Sequence, residues 1–262
     1  MARPIWRGTI SFGLVTIPVK LLNATESKDI AFRQLDSKDN TRVRQLRWNP
    51  NLEREVPYDE IVRGYEYAKD QYVILDDEDF EKLPLPSKKT ISLTAFVRAD
   101  EIDPVYYERA YYLEPDEGAV KPFALLAKAL EAKGLIAIGK VAIRNKEQLC
   151  ALRVKDGRLL METLLFPDEI REQPEINLDK VKITKEEMKM AATLIEMLEK
   201  PFEPEEYQDD YREALMQIIE AKLAGQEVVE AAEPEAAKIV DLMAALKASV
   251  EAAKKQKQAA AS

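Results

Sequence analysis

Residues 6–21 read WRGTISFGLVTIPVKL, and this stretch indicates how the N-terminal part of the chain folds. Up to Gly13 the apolar side chains alternate with polar ones, the period of two of a half-buried β-strand. After Gly13 the phase changes, and Val15, Ile17 and Val19 become the apolar set. A glycine at a change of phase predicts a bulge or bend in one long strand, as occurs where sheets curl into barrels.

The rest of the chain carries strand patterns first and helix patterns last. Three strand-like segments predict an antiparallel meander, with a two-residue turn at Asp156-Gly157. These segments are residues 135–144, 149–155 and 158–166. From Thr184 onward the apolar period is 3.6, which is typical of helices. Strands followed by helices predict the α+β class.

The residue types present exclude several kinds of catalytic site. The chain has 262 residues, one cysteine (Cys150) and no histidine. A Ser-His-Asp triad, a Cys-His pair and an HExxH metal site are therefore impossible, and one cysteine supplies neither a zinc cage nor an intrachain disulfide. Catalysis would have to use carboxylates, lysine, tyrosine or a carboxylate-bound Mg²⁺. No such constellation stands out, so we predict no catalytic residues, no metal site and no cofactor.

The sequence also carries no signal for a membrane or for export. Its apolar runs are far shorter than the roughly 20 residues of a membrane span. The N-terminus reaches Arg7 too early to contain the apolar region of a signal peptide. We therefore expect a cytoplasmic protein with no membrane partner.

A formal net charge of -9 conceals two basic segments. Residues 1–48 carry nine basic and four acidic side chains, and residues 138–160 carry six and two. The acidic total argues against a general nucleic-acid binder, but the basic segments permit a local site for an anion. Chance clustering of solvated surface charge is the alternative, and the charge counts alone do not exclude it.

Strand geometry places these cations on shared faces. On the predicted strands of the second segment, the cations are expected to oppose the apolar face that contains Cys150. In the first segment Arg42 and Arg44 share a strand face, with Arg47 on the other. Clustered cations with few interleaved aromatics fit backbone phosphates better than stacked bases, and such contacts read no sequence. The predicted DNA-binding side chains of the second segment are Lys140, Arg144, Lys146, Arg153, Lys155 and Arg158.

A further amphipathic helix is predicted near the C-terminus. Ile239, Leu242, Met243, Leu246 and Val250 recur at spacings of three and four, which forms an apolar stripe. A helix of this length is marginal in water by itself and needs a surface to pack on. We predict that this stripe binds a partner protein; the alternative is that it docks back onto the dimer.

Several long stretches closely resemble bacterial Ku proteins, in the same order along the chain. They are residues 5–15 (IWRGTISFGLV), 17–21 (IPVKL), 64–67 (GYEY), 101–113 (EIDPVYYERAYYL) and 165–171 (LFPDEIR). The resemblance runs from about residue 2 to 225, with weaker similarity beyond.

The resemblance implies a β-barrel core with an inserted β-rich bridge, which forms half of a dimeric ring and is followed by a C-terminal helical arm. Here the core would span residues 1–183, with the bridge at about 31–85, and the arm residues 184–225. Residues 226–262 would hold a linker, the amphipathic helix and a short polar tail. The position of the bridge adds Arg33, Lys38 and Arg54 to Arg42, Arg44 and Arg47 as DNA-binding candidates.

The function implied by the resemblance is sequence-independent binding of double-stranded DNA ends. A ring-shaped homodimer would thread onto broken ends and act in non-homologous end joining, associated with the nucleoid. It would not be an enzyme, but would recruit and stimulate a multifunctional ATP-dependent DNA-repair ligase through the C-terminal region. The alternative from another class is a metal-dependent DNA-processing enzyme that uses carboxylates.

The chain departs from the family pattern in two places. Many bacterial Ku proteins carry histidines after the second strand and a Cys-x-x-Cys pair early in the bridge. Here residues 32–36 read FRQLD and residues 48–53 read WNPNLE, so a metal-supported hairpin is excluded. The lysine-rich tail of longer relatives is reduced to Lys254, Lys255 and Lys257.

Overall fold

The structure is a computed structural model that describes residues 3–83, 87, 89–143, 146–225 and 242–260. The chain divides into two units, residues 1–172 and 173–262. In the described residues the first unit contains all the strands and the second contains three α-helices. The two units are described separately below.

The chain begins with a tight β-hairpin. β1 (Trp6–Phe12) pairs antiparallel with β2 (Val15–Asn23), and Phe12 lies opposite Val15. The turn places Gly13 at φ 59°, in the left-handed region that glycine adopts without strain. The prediction of one long bent strand is wrong. In this hairpin each even-numbered residue of β1 lies opposite an odd-numbered residue of β2, as Ile10 does with Ile17. The apolar residues therefore change from even to odd numbers at the turn while they stay on one face of the sheet.

An arm is inserted between β2 and the rest of the barrel; we call residues 24–89 the inserted arm. Its elements are β3 (Trp48–Asn49), β4 (Arg54–Glu55), β5 (Arg63–Ala68), β6 (Gln71–Leu75) and α1 (Asp77–Glu81). β3 pairs with β4 and β5 with β6, as two separate two-stranded sheets. No side chain described between residues 31 and 75 is fully buried.

The chain then returns to complete a closed barrel. The remaining elements of the first unit are β7 (Thr90–Val97), β8 (Tyr107–Pro115), α2 (Val120–Lys133), β9 (Ile136–Ile143), β10 (Lys146–Lys155) and β11 (Arg158–Leu164). The strand order around the barrel is β1-β2-β8-β11-β10-β9-β7, and β7 closes it by pairing parallel to β1. The meander β9-β10-β11, the turn at Asp156-Gly157 and the α+β class are confirmed.

Close packing at the β1–β7 seam explains one glycine. A Cβ at Gly8 would lie 2.3 Å from the carbonyl oxygen of Lys89 and 2.3 Å from the ring of Trp6. The Trp6 indole nitrogen on β1 donates to the carbonyl oxygen of Ala142 on β9 at 3.0 Å, and this hydrogen bond fixes the orientation of the ring. A larger residue at position 8 would therefore have to displace either the seam or the indole.

The barrel interior forms the main core. It consists of branched aliphatic side chains together with Met161 and Cys150, and the apolar face of α2 packs against it. Burial raises the pKa of the Cys150 thiol to about 12, so the thiol stays protonated at neutral pH. The largest fully buried side chains are Ile10, Ile17, Val19, Leu21, Ile91, Val141, Leu152, Leu159 and Met161.

The second unit is helical in its described part. Its helices are α3 (Lys185–Leu198), α4 (Asp210–Leu223) and α5 (Leu242–Ala260). A capping box begins α3, because the Thr184 hydroxyl accepts from the backbone N–H of Glu187 and the Glu187 carboxylate accepts from that of Thr184. α5 packs against α3, and among its described side chains Val250 and Ala253 are buried. It continues to Ala260, through residues expected to form a polar tail.

Candidate nucleic-acid interface

The cations predicted to bind DNA fall into two groups once their partners are known. Those in ion pairs are Arg54 with Glu60 (2.6 Å), Lys140 with Glu147 (3.2 Å), Lys146 with Glu169 (2.8 Å) and Arg153 with Glu162 (2.8 Å). Those that make no ion pair with a described residue are Arg33, Lys38, Arg42, Arg44, Arg47, Lys155 and Arg158. Arg144 lies outside the described residues. The paired cations are already neutralised within the chain, so the unpaired ones have more charge to offer a phosphate.

The best-formed ion pair lies on the outer face of the barrel. Arg153 on β10 donates two hydrogen bonds of 2.8 Å to the carboxylate of Glu162 on β11. The two residues are diagonal neighbours, because Arg153 lies opposite Leu160 in the register. The two hydrogen bonds and the carboxylate charge raise the pKa of Arg153, while burial raises that of nearby Tyr107. This pair is part of the barrel wall.

Two further ion pairs involve lysines of β9 and β10. Lys140 donates to Glu147, which also accepts from the buried hydroxyl of Ser87 at 2.7 Å. The Ser87 bond, followed by the Lys140 pair, lowers the pKa of Glu147 against the effect of burial. Lys146 donates to Glu169 at 2.8 Å, which raises the pKa of the lysine.

The expectation of one purely cationic face on the meander is wrong in two respects. Lys146 pairs directly with Ile143, so it shares the face of Ile143 and not that of Lys140. The outer face also holds a smaller apolar cluster, formed by Ile136, Ala151 and Leu164. At the end of this meander, Lys155 and Arg158 lie opposite each other beside the turn.

Three of the unpaired arginines of the inserted arm, Arg33, Arg42 and Arg44, line an open groove of about 860 Å³. We call it the arginine groove; it is lined by Phe32, Arg33, Gln34, Arg42, Val43, Arg44 and Gln45. Leu35 pairs antiparallel with Arg42, and flanking backbone hydrogen bonds join Val43 to Gln34 (3.0 Å) and Asp36 to Thr41 (2.8 Å). Arg33, Arg42 and Arg44 all line the groove. Three arginine side chains therefore border one groove on a short, exposed hairpin.

The turn of this hairpin is held by its own carboxylates. Asp36 accepts from the backbone N–H of Lys38 at 2.9 Å, and Asp39 accepts from both the N–H and the hydroxyl of Thr41 at 2.9 and 2.8 Å. These Thr41 bonds lower the pKa of Asp39. Asn40 takes a positive φ of 58°, which asparagine tolerates in turns. The acidic side chains of the turn therefore bind backbone rather than the arginines.

The structure also places aromatic side chains beside the arginines, which the sequence analysis missed. Phe32 lines the arginine groove and is 68% exposed. Arg47 stacks over the ring of Tyr58, 5.2 Å from its centroid, and Trp48 next to it is 58% exposed. In the sequence, the adjacent pairs Phe32-Arg33 and Arg47-Trp48 already place an aromatic residue next to an arginine.

The predicted partner-binding stripe is accounted for in part. Met243 and Leu246 are half-buried and Val250 is buried on α5, which packs on α3, while Leu242 is 59% exposed. Ile239 lies outside the described residues. The stripe thus packs at least partly on α3 of the same chain, and docking onto a dimer stays a prediction.

Two kinds of feature are absent from the described residues. No group of three or more histidine, cysteine, aspartate or glutamate side chains in the described part of the chain is arranged to hold a metal ion. No helix within those same residues has the length and apolar character needed to cross a membrane.

The fold and the site define a β-barrel protein with an inserted arm that presents unpaired cations. Residues 11–190 match the family model described as the Ku70/Ku80 beta-barrel domain. The chain belongs to the Ku family.

Several relatives match over nearly the whole chain. The chain is 49% identical over 260 residues to the "Non-homologous end joining protein Ku" of Symbiobacterium thermophilum, covering 98% of this chain and 65% of that protein. It is 46% identical over 254 residues to the protein of the same name from Archaeoglobus fulgidus, covering 96% of this chain and 100% of that protein. It is 40% identical over 252 residues to the protein of that name from Bacillus subtilis, covering 94% of this chain and 81% of that protein. The chain thus spans slightly less than two thirds of the Symbiobacterium relative and the whole length of the Archaeoglobus one.

Proposed function

We propose that this chain binds double-stranded DNA ends without sequence preference, as a ring-shaped homodimer that acts in non-homologous end joining. The observation that carries this proposal is the arginine groove, which Arg33, Arg42 and Arg44 line together and where they have no carboxylate partner among the described residues. The names of the Ku relatives support the same pathway.

The charge distribution favours contact with phosphates over contact with base edges. The chain is acidic overall, at -9, so DNA is repelled by most of its surface and attracted only locally. Arginine on a short hairpin can reach phosphate oxygens without entering a groove, and such contacts give no sequence information. Affinity should therefore depend steeply on salt and little on sequence.

The inserted arm supports a homodimer. Tyr72 and Ile74, which share one face of the β5–β6 hairpin, are 57% and 63% exposed. A two-stranded hairpin with exposed apolar side chains is marginal in isolation and is typical of an interaction surface. A second copy of the chain, pairing arm to arm, would bury these residues and close a ring around DNA.

We further propose that the second unit recruits a multifunctional ATP-dependent DNA-repair ligase, and that the protein has no catalytic role of its own. Truncation after Gly225 removes α5 and the residues before it. We expect the truncated protein to bind DNA ends as a dimer and to lose stimulation of the ligase. Because α5 packs on α3, a marked loss of melting temperature or of the dimer on truncation would assign α5 to the fold instead.

Competition between linear and relaxed circular DNA tests the proposal. A ring must load over an end, so linear duplex should compete well, and a circle or a linear duplex blocked with streptavidin at both ends should compete poorly. Equal competition by all three DNAs would reject threading. Binding should be insensitive to EDTA and leave the DNA unchanged; cleavage or joining that depends on a divalent ion would favour the alternative of a DNA-processing enzyme.

A further inference from the structure

A second site, a shallow cleft that is largely open to solvent, lies next to the arginine groove on the inserted arm. It is a cleft of about 430 Å³ beside the exposed ring of Trp48, within the range of small-ligand sites. The residues that line it are Arg47, Trp48, Asn49, Pro50, Val56 and Ile61.

The cleft is built on a closed hairpin and not on a loose loop. β3 pairs with β4, and the backbone N–H of Val56 donates to the carbonyl oxygen of Arg47 at 2.7 Å. The Asn49 side chain accepts from the backbone N–H groups of Asn51 (3.0 Å) and Leu52 (3.2 Å), which closes the turn. The strand that presents Trp48 is thereby held in place without a metal ion.

The charges around the cleft favour a base at Trp48 and a phosphate at Arg47. Arg47 is steered by the ring of Tyr58, at 5.2 Å, and makes no ion pair with a described residue, so its charge is available to a phosphate. Glu55 lies directly opposite Trp48 in the hairpin. The Glu55 carboxylate would repel an anion placed on the tryptophan ring, but it would not repel a neutral base. The ring therefore suits a base, and Arg47 suits the phosphate attached to it.

The cleft is also within reach of the arginine groove. Arg44 and Trp48 are four residues apart, so their Cα atoms are separated by at most about 14 Å. A single strand whose phosphates lie along the arginine groove can therefore extend a base to Trp48. Aromatic platforms beside a cationic track are the usual arrangement in proteins that bind single strands.

We infer that this cleft binds an unpaired base of the single-stranded overhang at a DNA end, stacked on Trp48, while Arg47 and the arginine groove hold the adjoining phosphates. The inference rests on the proposed end binding and deepens it. It gives the protein a preference for ends with overhangs over blunt ends, which backbone contacts to duplex alone do not provide.

The test compares the full-length wild type with Trp48→Ala and, as the matched control, Trp48→Phe. The probe is a linear duplex with streptavidin at one end and, at the other, either a blunt terminus or a short 3′ or 5′ overhang that contains 2-aminopurine. For the wild type we expect overhang affinity to exceed blunt affinity by about 5- to 150-fold, the range found for one stacked base. Stacking should also quench the 2-aminopurine fluorescence. Trp48→Ala should lose both effects, and Trp48→Phe should keep most of them.

The blunt duplex separates failure of this inference from failure of the proposed function. If the wild type binds blunt ends and rejects circles but gains nothing from an overhang, end binding stands and the stacking site is rejected. Equal overhang gain in the wild type and Trp48→Ala would also reject the site. If Trp48→Ala converts the protein to monomers in the absence of DNA, the cleft is an interface between copies and the inference is wrong.

Discussion

Neutralising the arginine groove should reduce the salt dependence of DNA binding by a calculable amount. The perturbation is the triple substitution of Arg33, Arg42 and Arg44 by glutamine, which removes three charges while keeping long polar side chains. Each phosphate contact contributes about 0.9 to the slope of log K against log salt. If all three arginines contact phosphate, the slope should become shallower by about 2.7 for each chain, and by about 5 for a homodimer.

The assay is fluorescence anisotropy of a labelled blunt duplex, measured over a series of salt concentrations. A matched control removes the same three charges elsewhere, by substituting Lys121, Lys128 and Lys133 on α2 with glutamine. These lysines are exposed and lie on a helix outside the arginine groove. We expect the control to change the slope by less than about 1, since it alters only the general field of the protein.

Two results would refute the reasoning. A slope that changes equally in the groove variant and in the α2 control would show that net charge, not local contact, governs binding. A groove variant with the wild-type slope would show that DNA contacts another surface of the protein. Circular dichroism serves as the folding check, and no loss of signal is expected because the three arginines are exposed.

Three further predictions follow from named contacts. Arg153→Ala should lower the free energy of unfolding by about 1 kcal/mol in urea denaturation. This is less than the value of a buried charged hydrogen bond, because the Arg153 side chain is 40% exposed. An unchanged stability, or a DNA-binding defect at full stability, would contradict the structural role of the pair with Glu162. Glu147→Gln should destabilise the protein at neutral pH. The folded pKa of Glu147 is depressed, so its contribution is present above the unfolded pKa of about 4.3 and is lost as the pH falls through the folded value. The melting temperatures of wild type and variant should therefore converge in acid, and a constant difference would count against this. Ile74→Glu should yield monomers in sedimentation experiments if the arms pair, and an unchanged dimer would place the interface elsewhere.

Much of the barrel was predictable from the sequence because its strands have one buried face. The alternation of apolar and polar residues marks β7 and β9 to β11, and the Asp156-Gly157 turn sets the pairing of the last two. The first hairpin was misread, although its signal was present. A change of phase at Gly13 fits either a bend or a two-residue turn, and only the pairing of Phe12 with Val15 distinguishes them.

The candidate site was less predictable, because charge in a sequence does not reveal its partners. Lys140 and Arg153 were placed correctly on the strand face opposite the core, but Glu147 and Glu162 are diagonal neighbours that only the register identifies. The arm could not be read from periodicity either, since its side chains are exposed on both faces and no core imposes an alternation. Its Phe32 was therefore passed over.

Trapping on circularised DNA tests the central proposal, that a closed ring threads onto ends, most directly. The protein is loaded on a linear duplex, the DNA ends are joined by an added ligase, and the complex is challenged with high salt. The account predicts that the protein stays on the circle after salt has broken its phosphate contacts, and that cutting the circle releases it. Release from the intact circle at the same salt concentration as from the linear duplex would contradict the account.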